Sequence, residues 1–527
     1  MKTNGLTRRE FLKYAGVSMG AAGASTLLER SFVSAQTPKR GGHFKPALTD
    51  QPVVRSLDPH RTVLNWEDMA CWTLFNSLLR FNKDMRIVPD LAESWTALND
   101  TTYRFKLRPG IKFHDEGDCT ADDVVFSLNR VRDPRTGSTH APAYNQVDQV
   151  RAIDRNTVEI TTKRPFAPLL SYLCNVRTGS QVLSRKAVER LGDDFGKRPV
   201  GTGPFKLVGW EPNEKLEFVK NDQYFIKGLP YLDRVTEYLI SDPGAATNAL
   251  IGGDVHLITV PHYSDIQRIE KTQGVSGVKQ PGLNIRHILM NCRIKPLDDV
   301  YVRRAFSQAF DKQSVVDAIA FGEGVPMNTM IPPAIPWAYH QGLNAQKSFN
   351  PEKARASLAQ SKYKGSDLTF AIQSWGVAWE RRLAEIAAAQ ASEVLGIPIR
   401  LDIVEMATHT TRVTSGNYQT AVWGWRGLID PDEYVYECAH SQGARNYAKY
   451  SNPKVDALAE KARTILDQDQ RAKYYHQAEE LLAEDAGGNL PCFNNVNFNG
   501  VKNFVKGFIQ VPFDGFGQQF DRVWLDI

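Results

Sequence analysis

Residues 91–130 (LAESWTALNDTTYRFKLRPGIKFHDEGDCTADDVVFSLNR) change their apolar period from two to nearly four, and that change dictates their local structure. Tyr103, Phe105 and Leu107 alternate with Arg104, Lys106 and Arg108, which turns one apolar strand face inward. Pro109-Gly110 ends the strand, because proline lacks a ladder donor and glycine accepts a left-handed turn. Ile111 and Phe113 resume the alternation. Thr120 can cap a helix whose first turn carries Asp122 and Asp123. Val124, Leu128 and Val131, at i, i+4 and i+7, give that helix a buried stripe. A hairpin feeding a capped helix is expected.

The order and spacing of LAESW, Y-x-F-x-LR-x-G-x-KFHD and TADDVVFSL also resemble the signature of the extracellular solute-binding proteins of family 5. These are the dipeptide- and oligopeptide-binding type that serves ABC importers. A second stretch, MNCRIKPLDDVYVRRAFSQAFDKQSVVDAI from Met290, resembles the same family. One position departs from the pattern: the family has glycine directly after His-Asp, whereas here Glu116 precedes Gly117 in a turn of unchanged length. The resemblance covers essentially all of the chain after residue 35. It implies an α/β, two-lobed periplasmic-binding-protein fold of cluster C type with an extra domain inserted in the first lobe. By the same resemblance, residues 36–78, 200–285 and 493–527 build lobe I, 79–199 the inserted domain and 286–492 lobe II.

The chain has 527 residues and is 42% apolar, enough to bury the cores of roughly three domains. Its net charge is +5, but residues 1–35 hold five basic and two acidic side chains, so the remainder carries only +2. That is no electrostatic footprint for nucleic acid. Ten Trp and eighteen Tyr suit aromatic walls around peptides or small organic ligands. Thr7-Arg8-Arg9-Glu10-Phe11-Leu12-Lys13 matches the twin-arginine export pattern, and Val33-Ser34-Ala35 offers the small residues that a signal peptidase accepts. The apolar run between them, about fifteen residues, is shorter than the roughly 20 that a membrane span needs. A signal peptide over 1–35, cleavage after Ala35 and a soluble periplasmic protein beginning at Gln36 are expected. Cys71, Cys119, Cys174, Cys292, Cys438 and Cys492 are far apart and form no C-x-x-C motif. They are open to one or two disulfides, which sequence cannot pair, or to burial as free thiols.

Elsewhere the pattern alternates in a βαβ-like rhythm. Helices are expected at 67–79, 166–173, 247–250, 380–395, 455–466 and 471–482, and strands at 158–162, 216–219, 285–291 and 399–403, while 494–503 returns toward the first lobe. Pro199-Val200-Gly201-Thr202-Gly203-Pro204-Phe205 marks a special backbone between domains; as a phosphate loop it lacks the third glycine, with Lys206 following Phe205. After Pro296-Leu297-Asp298, the residues Val302, Ala305, Phe306 and Ala309 make a buried helical stripe, flanked by Arg303 and Arg304 as solvating charges.

Enzyme signatures fail: Gly16-Val17-Ser18-Met19-Gly20 lies in the leader, and there is no H-E-x-x-H or P-loop. Trp423-Gly424-Trp425-Arg426-Gly427-Leu428-Ile429-Asp430-Pro431-Asp432 carries two Trp, an Arg and two acids on a glycine-broken loop. Such a loop is costly to expose without a purpose, unless both Trp plug the core. It resembles the family's ligand loop, G-W-x-x-D ending in D/E-P, where the Trp lines the pocket and the first acid pairs with the peptide α-amino group. Trp425 matches that Trp and Asp430-Pro431 matches the end. The loop is one residue shorter, however, and the position of the acid falls on Gly427 or Leu428. Either the ligand has changed or another acid, Asp430 being nearest, takes its place. Trp375 and Trp379, with Arg381 and Arg382, follow an apolar strand, where α/β lobes place ligand groups. Arg426 can hold a ligand carboxylate bidentately or pair with a neighbouring acid.

The ligand-binding residues expected are thus Trp423, Trp425, Arg426, Asp430, Trp375 and Trp379. The function expected is the periplasmic substrate-binding component of an ABC importer, a monomer that captures a peptide or peptide-like small organic solute by lobe closure. It would deliver that solute to a permease driven by ATPase subunits. No catalytic residue, cofactor or metal is expected. The alternatives are an exported enzyme of the twin-arginine route and a nickel or haem scavenger of the same family, which a His-rich pocket would favour.

Overall fold

Two long antiparallel strands, Val275–Met290 and Asn489–Lys502, hold the architecture together. They belong to a computed structural model that describes residues 37–527 except 50–51, 63, 175–176, 260–261, 426–428 and 514–519. The expected leader and its cleavage site lie outside the described residues. The chain divides into two units, Met1–Pro38 and Lys39–Ile527, and the second contains every helix and strand described.

The two strands pair from Val275↔Lys502 to Leu289↔Asn489, with a register shift between Pro281 and Ile285. Pro281 has no donor for the ladder, and Gly282 lies against the Asn497 side chain, so regular pairing breaks there. On one flank the sheet continues through Leu257–Thr259, Pro46–Leu48, Arg234–Leu239, Lys215–Lys220 and Phe205–Glu211. On the other flank come Thr420–Trp425, Phe370–Trp375 and Ile399–Val404. Phe370–Trp375 and Ile399–Val404 are parallel and joined by the helix Ala378–Leu395, a βαβ unit whose helix stops at Gly396 with φ 67°. This is the mixed α/β fold expected from the sequence pattern.

A separate four-stranded antiparallel sheet runs Ala92–Asn99, Thr102–Leu107, Thr157–Thr162, Val147–Asp154. Tyr103, Phe105 and Leu107 are buried while Arg104 and Lys106 are exposed, as alternation requires. The helix Ala121–Arg132 follows, and Asp123 reaches back to accept the Thr120 N–H at 3.0 Å and its hydroxyl at 3.1 Å. Val124, Leu128 and Val131 are its buried stripe. In the intervening turn Glu116 sits at φ 69°, a left-handed conformation that costs a side chain about 1 kcal/mol. The moved glycine therefore leaves a strained acid in its place.

Two expectations are corrected. The helix expected over 67–79 is Asn65–Leu74, and Phe75 is already extended. The Pro199-to-Phe205 segment crosses its end: Gly203 donates its N–H to the Leu74 carbonyl at 2.8 Å. A Cβ at Gly201 would lie 2.0 Å from that oxygen, and one at Gly203 would lie 2.4 Å from its carbon. Both glycines are there so that two backbones can touch. The helix expected after Pro296 is Val300–Gln308, with Val302, Ala305, Phe306 and Ala309 buried as expected, and a second helix, Lys312–Ala320, capped by Asp311, follows it. Arg303 does not solvate that first helix: it is buried and donates to the carbonyls of Leu297, Asp485 and Ala486 at 2.8, 3.2 and 3.0 Å. All six cysteines are free thiols.

Gly203→Ala is expected to lower the unfolding free energy by about 2–3 kcal/mol in urea titrations, the cost of forcing a methyl into a closed contact. A change below about 0.5 kcal/mol, the range of an ordinary surface substitution, would refute the backbone contact.

Candidate functional site

Trp423 and Trp425 stand on a strand, Thr420–Trp425, not on a loop. Alternation puts both rings on one face, opposite His287 and Ile285 of the neighbouring long strand. The two indoles meet edge to face at 6.1 Å. Trp425 stacks on His287 at 6.2 Å and lies beside Tyr447 at 5.8 Å, while Trp423 approaches His409 at 5.5 Å and Tyr447 at 5.9 Å. The Arg445 guanidinium sits 5.6 Å over Trp425 and pairs with Glu433 at 3.2 Å. Both tryptophans are half-buried, and neither indole N–H has an acceptor among the described residues. The result is an aromatic wall whose two indole N–H groups are themselves buried.

The opposite face of these two strands meets Trp379, while Trp375, whose strand pairs Ile372↔Thr420 and Gln373↔Ala421, alternates onto the face of Trp423. Gly424 leaves room for Arg286, whose Nη1 would lie 2.7 Å from a Cβ there. That guanidinium covers the Trp379 ring at 4.0 Å, close enough for a cation–π contact. Trp375 ends its strand and donates its backbone N–H to the buried Glu380 carboxylate at 3.1 Å. Glu380 faces His409 at 3.8 Å, and burial pushes its pKa up to about 7. His409 stays neutral: Gln373 donates to its Nδ1 at 2.8 Å, Nε2 lies 3.0 Å from the Val422 carbonyl, and burial lowers its pKa. Burial also drives His287 down to about 3. No ring contact joins Trp375 or Trp379 to Trp423 or Trp425. The long strand on the other side of Thr420–Trp425 carries Arg286 on one face and His287 on the other. Arg381 and Arg382 are exposed and pair with Glu385.

Asp430 occupies a different place from the one expected of a ligand acid. It is fully buried at the start of the helix Pro431–Ala439, where it accepts the Asp432 N–H at 3.0 Å. Arg471 donates to both of its oxygens at 2.6 and 3.2 Å, and the Ser171 hydroxyl donates at 2.6 Å. With those bonds made, its carboxylate has no reach toward a ligand ammonium. Arg426, Gly427 and Leu428 lie outside the described residues. The sequence reading missed Arg286, His287, Glu380, His409, Arg445 and Tyr447. An Arg-His pair inside the apolar run of 283–290 was the readable signal, since buried strands carry charge only for a reason.

The sequence profile of the bacterial extracellular solute-binding proteins, family 5 (middle region), matches residues 86–446. The dipeptide-binding protein of Escherichia coli K12 is 28% identical over 480 residues, 84% of this chain and 88% of that protein. Heme-binding protein A of Haemophilus influenzae is 30% identical over 474 residues, 84% of this chain and 85% of that protein. Among solved structures, HbpA2 from Haemophilus parasuis superposes with a TM-score of 0.82 at 26% identity, covering 92% of this chain and all of that one.

Asp430→Asn should cost about 3–5 kcal/mol of stability, because Arg471 is left buried without its counter-charge. A fully stable variant that loses ligand would return Asp430 to the binding site. Glu380→Gln tests the pH behaviour. A carboxyl with a raised folded pKa stabilises fully below its unfolded pKa and loses that contribution as pH rises to about 7. The variant should therefore gain stability relative to the wild type between pH 4.5 and 7, with a flat difference above; a pH-independent difference in melting would refute the shift.

Proposed function

The chain belongs to the bacterial extracellular solute-binding proteins of family 5, and we propose that Trp423 and Trp425 form the wall on which its solute stacks. As a member, it is the substrate-binding component of an ABC importer for a peptide or peptide-like solute, and its relatives are transport proteins, not enzymes. The observation that carries the site is the pair of half-buried indoles with unpaired N–H groups, beside the broken register at 281–285. Planar or apolar groups of the solute would lie on the rings.

The lobe boundaries at 285/286 and 492/493 fall at or beside that break, which supports a hinge there. Closure would then bring 36–78, 200–285 and 493–527 toward 286–492, with 79–199 carried along. Arg426 would hold a carboxylate and Trp375 would bound the site from the neighbouring strand, whereas Trp379 would act only through Arg286 on the far face. With Asp430 committed to Arg471, a free peptide N-terminus meets no acid at the family's position, so the solute is a blocked or peptide-like molecule. The leader supports twin-arginine export, cleavage after Ala35 and work in the periplasm, where the protein would act as a monomer that docks on a permease with its ATPase subunits. Among the described residues no helix is long and apolar enough to cross a membrane. Haem is the second reading, supported by the name of the Haemophilus influenzae relative.

Native mass spectrometry of protein taken from its own periplasm should recover an unmodified organic solute; recovered haem would favour the second reading. Calorimetry should then show that Trp425→Ala weakens that solute at least about tenfold, or ~1.4 kcal/mol. Dipeptides with free N-termini should bind the wild type more weakly than their N-acetylated forms. Tight binding of free dipeptides, unaffected by Trp425→Ala, would put the site elsewhere.

A further inference from the structure

A cavity of about 500 Å³ opens on the other side of the large sheet from Trp423 and Trp425. Its lining includes Met290, three residues beyond His287, whose side chain leaves the strand on the opposite face. The helices Val300–Gln308, Pro351–Ala359 and Gln468–Glu484 supply its walls. The volume is in the range of small-molecule pockets.

Two ionisable side chains are buried in that lining with bonding capacity to spare. Glu479 is 2% exposed; its Oε1 accepts the Ile331 N–H at 2.9 Å, the Met330 N–H also faces the carboxyl, and among the described residues its Oε2 makes no hydrogen bond. Burial pushes its pKa up to about 8, so at neutral pH it carries a proton. That proton belongs on the unpaired oxygen, which makes the group a donor. Lys312 is 6% exposed and spends two of its three N–H bonds on the Met327 carbonyl and Asn328 Oδ1, both at 2.7 Å. Burial lowers its pKa to about 8, and the nearby Cys492 thiol, pushed up to about 12, adds no charge. Arg304, Lys347 and Lys353 also line the cavity, against the one further acid Glu484. Donors and positive charge thus dominate a recess in which a ligand's own cations would find little to hold.

We propose that this cavity is a second binding site, independent of the tryptophan wall, for a small oxyanion-bearing molecule whose oxygens accept from Glu479 and Lys312. Acceptor oxygens are the chemistry common to organic carboxylates and phosphate, and the two can be told apart by titration.

The test is calorimetry of the whole protein with succinate, citrate and inorganic phosphate at pH 6.5 and pH 9. Saturable binding of at least one is expected at pH 6.5, at least about tenfold weaker at pH 9, where both groups have lost their protons. Stronger binding of the carboxylates assigns an organic acid, and stronger binding of phosphate assigns the inorganic ion. Lys312→Met should weaken binding at least about tenfold, Glu479→Gln, which keeps a donor, should hold it within about threefold, and Trp425→Ala should leave it unchanged. Should Lys312→Met fail to fold, the wild-type pH profile decides alone. No saturable binding of any of the three, equal affinity at both pH values, or loss of binding in Trp425→Ala would overturn the proposal. The last outcome would leave the reading of the tryptophan wall intact, since that wall is tested with its own solute.

Discussion

The ion pair between Asp430 and Arg471 is the interaction on which the tryptophan segment depends. Both side chains are out of water, and Tyr475 and Ser171 complete their hydrogen bonds. Taking two charges into the interior is costly, and the geometry must be good enough to offset it. Here it is bidentate, and the acid also caps the helix Pro431–Ala439. Two residues on, Asp432 meets Arg463 at 3.1 Å, and Arg463 reaches Glu437 at 3.5 Å and covers the Phe166 ring at 5.1 Å. The Arg463 carbonyl accepts the Ala167 N–H at 2.7 Å. The chain leaving Trp425 is therefore anchored a few residues later both to the C-terminal helices and to the 166–174 segment. An acid that looks like a ligand group in the sequence is what anchors the segment that follows the two tryptophans.

Much of the fold was legible because the signals were local. Alternation in 102–107 and helical spacing in 121–132 each reported one buried face, and burial of that face is what the structure delivers. Four helices begin with Asx-Pro (Asp242-Pro243, Asn350-Pro351, Asp430-Pro431, Asn452-Pro453), a start that caps the first turn and needs no donor at its second residue. What escaped was set by distant partners. Nothing near Leu74 announces that Gly201 and Gly203 will cross it, and nothing near Arg303 announces three carbonyls at 297, 485 and 486. The site divides in the same way. Its tryptophans are conspicuous in any reading, whereas Arg445 and Tyr447 come from an irregular segment whose contacts with Trp425 exist only in three dimensions.

The six thiols have a consequence for how the molecule can be studied. Five are buried and Cys292 is half-buried. Burial raises all six above the ordinary thiol range, Cys292 to about 11 and Cys492 to about 12. Alkylation and disulfide exchange proceed through the thiolate, which is scarce at each of these positions at neutral pH. The folded chain is thus chemically quiet toward oxidants and alkylating reagents, and its cysteines react only when their surroundings open. They lie at 71, 119, 174, 292, 438 and 492, in both sheets' neighbourhoods and among the C-terminal helices. Thiol labelling followed by peptide mapping would therefore report which part of the molecule opens first, with no reporter group introduced.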